Sequence, residues 1–375
     1  MPVSKPSAAT DDPLSTRALN RALLQRQALL QPLPESPLVM IERLGGLQAQ
    51  APNPPYLGLW SRLSGFRPEQ LTELMQARQV VRATMMRGTL HLVGARDYLA
   101  WRATLQPMLR RLFLQSDQGR AVKDMDLDAL SAAGRELLSA QPLNATDLGA
   151  ALQAHWPQRD AGAMGRWVRG VEPLIHVPPA GVWDSHRAAS FAPAAQWLGA
   201  PLAGDDASEA MVLRYLAAFG PASVQDIAAW SGLQGVRAIV ERLRPQLRSY
   251  RDPNGSVLFD PLDAPPPEPE RPAPPRLLAD FDNVLLAHAD RSRILDERHK
   301  AAVFTRNGIV RATVLIDGFV AGTWSLERGK GAATLAIATF ARVSKADRVA
   351  LEALAQDGLA TFAPGLAPAV RFDLA

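Results

Sequence analysis

The fold class is indicated most clearly by residues 80–93, Val80-Val81-Arg82-Ala83-Thr84-Met85-Met86-Arg87-Gly88-Thr89-Leu90-His91-Leu92-Val93. Its two halves are rich in β-branched and apolar residues and flank Arg87-Gly88, a pattern that predicts two strands joined by a short turn. Short helices are predicted before it, because Ser36-Pro37 and Pro68-Glu69 are helix-start signals. Helices followed by a hairpin are typical of a winged helix.

This pattern occurs three times along the chain. The second copy has predicted helices at 126–140, 145–155 and 161–170 and a poorer hairpin at 174–177 and 182–183. The third copy has predicted helices at 208–219, 224–230 and 234–244 and strands at 247–251 and 256–259. The third hairpin contains Asn254-Gly255, a preferred two-residue turn. The sequence therefore predicts three successive helix-helix-helix-hairpin units.

Residues 264–275 contain seven prolines and predict a stiff extended linker. Beyond it the hydrophobic period becomes two, which predicts strands at 301–306, 309–316, 319–326 and 332–340. Asn307-Gly308 and Asp317-Gly318 are strong hairpin signals between these strands. A closing helix is predicted at 344–357.

The predicted fold class is α+β, with tandem winged-helix domains (three helix-helix-helix-hairpin units) and a C-terminal antiparallel β-subdomain. The predicted divisions are a disordered tail (1–14), three winged helices (15–115, 116–205, 206–263), a proline-rich linker (264–276) and a β-meander subdomain with a closing helix (277–375).

Composition excludes several classes of protein. At 375 residues with 47% hydrophobic content, the chain is globular and too long for one core. It contains no cysteine, which excludes disulfides, thiolate metal sites and cysteine nucleophiles and is consistent with the cytoplasm. No apolar run approaches the ~18–20 residues of a membrane span, so no membrane partner is expected.

Sequence motifs for cofactors are missing. The six histidines form no metal-binding spacing, so no metal is predicted, and the Asp280, Asp282, His288, Asp290 group is more typical of a loop-fixing cluster. Phosphate-binding loops and dinucleotide fingerprints do not occur, so we predict no nucleotide cofactor. The nucleophile elbow of serine hydrolases is also lacking.

Gln48 and Gln50 follow the glycine pair Gly45-Gly46 at a predicted helix end. In extended backbone, side chains at i and i+2 point the same way, so the two amides could hold one water or one substrate edge. The alternative is that both glutamines bond backbone groups left free where the helix stops.

DNA is the default partner of winged helices, although some bind proteins. Two predicted hairpin tips carry suitable side chains: Arg82 and Arg87 on the first, and Arg306, Asn307 and Arg311 on the meander. Arginine and asparagine at a protruding turn suit a narrow groove. The alternative is an ordinary solvated turn.

Four segments resemble the AlkZ/YcaQ-like winged-helix DNA glycosylases of bacteria. They are Leu19-Asn20-Arg21-Ala22-Leu23-Leu24, Leu44-Gly45-Gly46-Leu47-Gln48-Ala49-Gln50, Met86-Arg87-Gly88-Thr89-Leu90-His91-Leu92-Val93, and the text from Asp280-Phe281-Asp282-Asn283 through His288-Ala289-Asp290-Arg291 to Phe304-Thr305-Arg306-Asn307-Gly308-Ile309-Val310. The resemblance implies monofunctional removal of alkylated purines and unhooking of interstrand crosslinks. Gln48-Ala49-Gln50 is similar to the catalytic Gln-aliphatic-Gln pattern of the AlkZ branch.

The resemblance makes Gln48 and Gln50 the candidate catalytic residues and adds Thr89 and His91 to the predicted DNA contacts. An N7-alkylpurine is already cationic and leaves readily, so the hypothesis is that the two amides position the attacking water. The expected partner is double-stranded DNA carrying alkylated bases, bound by a monomer. The alternative function is a non-catalytic winged-helix DNA-binding protein or transcriptional regulator.

Overall fold

The first helices begin where the sequence places capping residues. This computed structural model describes residues 13–374, so residues 1–12 of the predicted tail lie outside it. The Ser15 hydroxyl accepts from the Ala18 N–H at 3.1 Å, and the Ser36 hydroxyl accepts from the Val39 N–H at 3.3 Å. The first elements are α1 (Thr16–Arg26), α2 (Pro37–Arg43), β1 (Leu47–Gln48), α3 (Pro54–Trp60), α4 (Pro68–Gln76), β2 (Val80–Thr84) and β3 (Leu90–Gly94).

Helix α1 packs against the third unit, which is about 190 to 230 residues further along the chain. Arg26 forms a buried two-point ion pair with Asp260, at 2.6 and 3.0 Å. The Gln27 side chain donates to the Ala218 carbonyl at 2.8 Å. The amphipathic pattern of α1 thus predicts the helix but not the surface that it covers.

The second unit shares a sheet with the first. Its elements, with the helices that connect it to its neighbours, are α5 (Ala95–Gln115), α6 (Asp117–Arg120), α7 (Leu127–Ala140), β4 (Leu143–Asn144), α8 (Ala145–Gln153), α9 (Ala161–Val171), β5 (Leu174–His176), β6 (Ser190–Pro193) and α10 (Ala194–Leu198). The strand order β1-β3-β2-β5-β6-β4 joins both hairpins into one six-stranded sheet. The predicted strand at 182–183 is wrong, because β5 pairs with β6 and the intervening chain forms turns.

The third unit follows the expected pattern closely. It comprises α11 (Ser208–Phe219), α12 (Val224–Ser231), α13 (Val236–Leu243), β7 (Leu247–Arg251) and β8 (Val257–Pro261). Ser223 and Asp226 form a capping box at the start of α12, and Gly232 ends that helix with a φ of 75°. Strands β7 and β8 form a separate two-stranded sheet.

The C-terminal part is a five-stranded sheet with one long helix. Its elements are β9 (Arg276–Leu278), α14 (Lys300–Val303), β10 (Thr313–Ile316), β11 (Phe319–Arg328), β12 (Ala332–Thr339), α15 (Lys345–Phe362) and β13 (Ala367–Leu374). Two expectations are corrected here. Residues 300–303 form α14 instead of the predicted strand at 301–306, and the additional strand β13 runs parallel to β12.

Hydrophobic cores cross the boundaries between these units. One core joins the first hairpin and the connecting helix α5 to the helices of the third unit and to the segment 284–295. A second joins α2 and α3 to the C-terminal sheet and α15, and a third lies within the second unit. Arg62 and Asp282 form a buried two-point ion pair at 2.8 and 2.9 Å beside the second core. The first unit is therefore held on both sides by chain that follows much later.

The predicted α+β class of tandem winged-helix units followed by a largely antiparallel sheet is confirmed.

Candidate active site

Gln48 lies at the edge of the six-stranded sheet. In β1, Leu47 pairs with Leu92 and Gln48 pairs with His91 of β3. The chain reaches this edge through Gly46, whose φ is 93° and whose added Cβ would stand 2.5 Å from the Val93 side chain. Only glycine fits so close to β3, so the glycine pair determines where the glutamine segment begins.

The Gln48 side chain is nearly enclosed, with 7% of the residue exposed. Its Oε1 accepts a hydrogen bond from Arg87 Nη2 at 2.7 Å. Its backbone N–H donates to Asn283 Oδ1 at 3.2 Å, while Asn283 Nδ2 donates to the Gly46 carbonyl at 2.6 Å. Gln48 is thus held by side chains from the first hairpin and from the C-terminal part.

Gln50 has a different environment. The residue is exposed, and its side chain has no hydrogen-bond partner among residues 13–374. Its backbone carbonyl accepts from Arg82 Nη2 at 3.2 Å. Within the described chain, neither glutamine side chain bonds a backbone group at the end of α2. The Ile41 carbonyl at that end accepts from the Gly46 N–H. One amide is fixed and the other is free to rotate.

Arg82 lies in the middle of β2, so its predicted place at a hairpin tip is wrong. Its buried guanidinium donates to the Ala49 carbonyl at 2.8 Å and to that of Gln50, and it contacts His176 Nδ1 at 3.1 Å. Burial and the nearby Arg169 lower the pKa of Arg82 to about 10, so it remains a cation at neutral pH. Arg82 holds the backbone of the glutamine segment.

Arg87 does lie in the predicted turn, with a φ of 59°. Besides Gln48, it donates to the Trp230 carbonyl at 2.7 Å, near the end of α12. Burial and the charge of Arg291 lower the pKa of Arg87 to about 10. Its guanidinium is therefore directed into the molecule.

Thr89 and His91 are also occupied internally. The Thr89 hydroxyl donates to the Met86 carbonyl at 3.1 Å. His91 is 2% exposed, and its Nδ1 lies 3.1 Å from the Thr89 carbonyl, which can only accept, so Nδ1 carries the proton. Burial and the charge of Arg87 lower the pKa of His91 to about 3.

Arg306, Asn307 and Arg311 are exposed at and beside the turn 305–308. The turn is closed by a hydrogen bond from the Gly308 N–H to the Thr305 carbonyl at 3.1 Å. None of these three side chains has a hydrogen-bond partner within residues 13–374, so their polar groups are available to a ligand. Their contact with DNA remains a prediction.

The residues of the Asp280, Asp282, His288, Asp290 group each have a different partner in the structure. Asp282 pairs with Arg62, His288 bonds the Phe219 carbonyl, and Asp290 bonds Ser292. Asp280 accepts from the Ala312 N–H at 3.1 Å, and burial raises the pKa of its carboxyl. It lines a crevice of about 10 Å³ together with Gln48 and Asn283, a space about the size of one water.

Sequence reasoning missed Asn283 as a support for the glutamine segment. The signal that could have found it is its place in the Asp280-Phe281-Asp282-Asn283 segment. A larger cavity of about 790 Å³ lies where the third unit meets α1 and the segment 289–293, and neither glutamine lines it. Volume alone therefore does not indicate the glutamine site.

This is a tandem winged-helix protein in which a fixed polar segment lies at the edge of the first hairpin. The profile of the family described as "DNA glycosylase AlkZ-like" matches residues 41–362, and the chain belongs to this family of DNA glycosylases. The family resemblance is thereby confirmed.

Two individual proteins are similar to this chain. The curated "Interstrand DNA cross-link repair glycosylase" of Streptomyces sahachiroi is 24% identical over 327 residues, which cover 81% of this chain and 85% of that protein. The solved structure of "Streptomyces sahachiroi DNA glycosylase AlkZ" superposes with a TM-score of 0.79 at 21% identity, covering 96% of this chain and 100% of the other. The latter likeness shows a shared fold.

Proposed function

We propose that this protein hydrolyses the N-glycosidic bond of cationic N-alkylated purines, such as N7-alkylguanine, in double-stranded DNA. The observation that carries the proposal is Gln48, whose side-chain amide is held by Arg87 and whose backbone N–H is held by Asn283, beside an exposed Gln50. Such a segment can present polar groups to a bound nucleotide while the rest of the sheet keeps them in place.

Two neutral amides suit a substrate that already carries positive charge. The alkylated base leaves as a neutral purine, so little general-acid assistance is needed. What remains is to place a water against the oxocarbenium-like sugar and to support that cation. An amide cannot act as a base near neutrality, but its oxygen can accept a hydrogen bond from the water.

A hydrolytic reaction without strand cleavage follows from the same residues. β-Elimination needs an amine nucleophile, and the matched glutamine and hairpin segments contain no lysine. The product is then a free base and an abasic site.

Crosslink unhooking is a further part of the proposal. The Streptomyces relative is named as an interstrand crosslink repair glycosylase. An interstrand crosslink through N7 of guanine has the same cationic leaving group on each strand, so the same hydrolysis would release it.

We also propose that the protein works as a monomer in the cytoplasm, on DNA of the nucleoid. None of the helices in the described part of the chain is long and apolar enough to cross a membrane.

The test compares Gln48→Ala and Gln50→Ala with the native protein on DNA that contains N7-methylguanine. We expect release of the free base to slow by about 10²-fold, because positioning of the reacting water is lost, while DNA affinity is unchanged. Gln141→Ala, at an exposed glutamine in the second unit, is the matched control. Base release at the native rate by both active-site variants would remove the glutamines from the mechanism. DNA binding by the native protein without any base release would favour a non-catalytic role.

A further inference from the structure

We propose that Arg87 is a positioning residue that acts through Gln48, turning the amide so that its NH₂ group faces the open side of the site. The inference rests on the proposed function and divides the work between the two glutamines: Gln48 supplies hydrogen-bond donors and Gln50 supplies the acceptor oxygen.

Arg87 is itself held firmly. Its Nη1 donates to the Trp230 carbonyl at 2.7 Å, one of the last carbonyls of α12, which no longer has a helical partner and carries partial negative charge. An added Cβ on Gly232 would stand 3.5 Å from the Arg87 backbone nitrogen, so the turn packs closely on the end of α12. The guanidinium therefore has a defined position before any ligand binds.

The chemistry of the guanidinium determines which end of the amide it contacts. Arginine has five N–H donors and no acceptor, so only Oε1 of Gln48 can face Nη2 at 2.7 Å. The reversed amide would bring an NH₂ group against another donor. A cation within hydrogen-bond distance thus selects one of the two amide orientations.

The other end of the amide is left available. Gln48 Nε2 has no hydrogen-bond partner within residues 13–374. The atom is also not fully enclosed by the protein. Its two N–H groups can donate to an acceptor atom of the bound nucleotide or to the oxygen of the attacking water. The exposed amide of Gln50 has no such restriction and can turn its oxygen toward the water.

The guanidinium of Arg87 is engaged by acceptors of the protein itself. Nη1 and Nη2 donate to the Trp230 carbonyl and to Gln48 Oε1, which places the charge of Arg87 beside Gln48. Its effect on the reaction should therefore appear in the rate of bond cleavage and not in affinity.

The experiment is a double-mutant cycle of Arg87→Ala and Gln48→Ala, measured by single-turnover release of N7-methylguanine and by DNA affinity. Each single variant should slow release by about 10²-fold with DNA affinity unchanged, and the double variant should be no slower than Gln48→Ala. Arg111→Ala is the matched control, because Arg111 donates to the Gly232 carbonyl at 3.4 Å beside the same helix end and does not touch Gln48. It should release base at the native rate.

A second variant tests the amide orientation with Arg87 in place. Gln48→Glu keeps an acceptor for the guanidinium but has no N–H group, so it should be as slow as Gln48→Ala. Native or faster release by Gln48→Glu would show that the oxygen is the working atom and would overturn the inference. The inference would also be overturned if the losses in release rate of the two single variants multiplied in the double variant and DNA binding became weaker, because Arg87 would then contact DNA directly. Unchanged release by Gln48→Ala would instead refute the catalytic role of Gln48, and this inference with it.

Discussion

At the scale of single residues, Gly46 sets the position of the candidate site. Its left-handed backbone and its contact with β3 allow the chain to turn from α2 directly into β1. Any side chain there would push β1 away from its partner strand. Since Gln48 is two residues further on, a shift of β1 would also move the amide away from Arg87.

We predict that Gly46→Ala destabilises the protein by about 3 kcal/mol, combining the cost of a left-handed alanine with overpacking against Val93. The control is Gly65→Ala, where φ is 69° and nothing lies within 4 Å of the added Cβ. It should cost only about 1 kcal/mol, from backbone strain alone. Denaturant unfolding measures both variants, and equal losses would show that the contact with β3 is not tight.

Among the secondary-structure elements, the turn 305–308, with the residues beside it, carries the only predicted DNA-binding residues that are exposed: of the seven, Arg306, Asn307 and Arg311 are exposed, and the others are partly or fully buried. It is exposed, its polar side chains have no partner in the described chain, and Ile309 beside it is 42% exposed. The guanidinium carbon of Arg291 lies 4.9 Å from the centre of the Phe304 ring at the base of this turn.

We predict that Arg306→Ala weakens DNA binding and lowers the slope of log K against log salt by about 0.9, the loss expected for one phosphate contact. The control is Arg298→Ala, because Arg298 is exposed but already paired with Asp296 at 2.6 Å. Binding measured over a range of salt concentrations distinguishes the two variants. An unaltered slope in Arg306→Ala would place this turn away from the phosphates.

The second hairpin extends the sheet formed by the first hairpin. Its first strand, β5, pairs with β2 through Arg82 opposite His176 and Ala83 opposite Ile175. Two winged-helix units thereby share one sheet, and the edge strand that a separate hairpin would expose is covered. The buried contact between Arg82 and His176 lies at this junction.

At the scale of the whole molecule, buried histidines make stability depend on pH. Burial, with the charge of Arg87 nearby, lowers the pKa of His91 to about 3, and burial with Arg82 and Arg169 does the same for His176. Both residues are neutral in the folded state, whereas an unfolded chain protonates them near pH 6.5. Between pH 6.5 and about 3 the unfolded state binds more protons, so stability falls as pH falls.

We predict a loss of about 2 kcal/mol of stability for each of these histidines between pH 8 and pH 5, since each pH unit below 6.5 contributes about 1.4 kcal/mol. Thermal unfolding at pH 8, 6.5 and 5 measures the effect. His176→Gln should make the curve flatter, whereas His155→Gln, at an exposed histidine, should leave its shape unchanged. A midpoint that stays constant down to pH 5 would contradict the buried neutral state.

Much of the helical pattern could be predicted because helix starts and stops are local. Ser36, Pro37 and the glycine pair delimit α2, and Ser223 and Gly232 delimit α12. The strand at 182–183 could not be predicted correctly, since β5 finds its partner only after a stretch of turns. The segment 300–303 could not be predicted correctly, because the short apolar run at 301–304 fits a helical turn as well as a strand.

Capping residues, hydrophobic period and turn residues act over a few positions, so the repeated helix-and-hairpin units, the glutamine segment and the turn at 307–308 can be recognised without the structure. Long-range packing sets the rest: Arg82 and Arg87 point inward and hold that segment, Asn283 supports it, and α1 covers the third unit. An arginine carries the same charge whether it meets a phosphate or a carbonyl. Its partner depends on strands and loops brought together from distant parts of the chain, which periodicity does not encode.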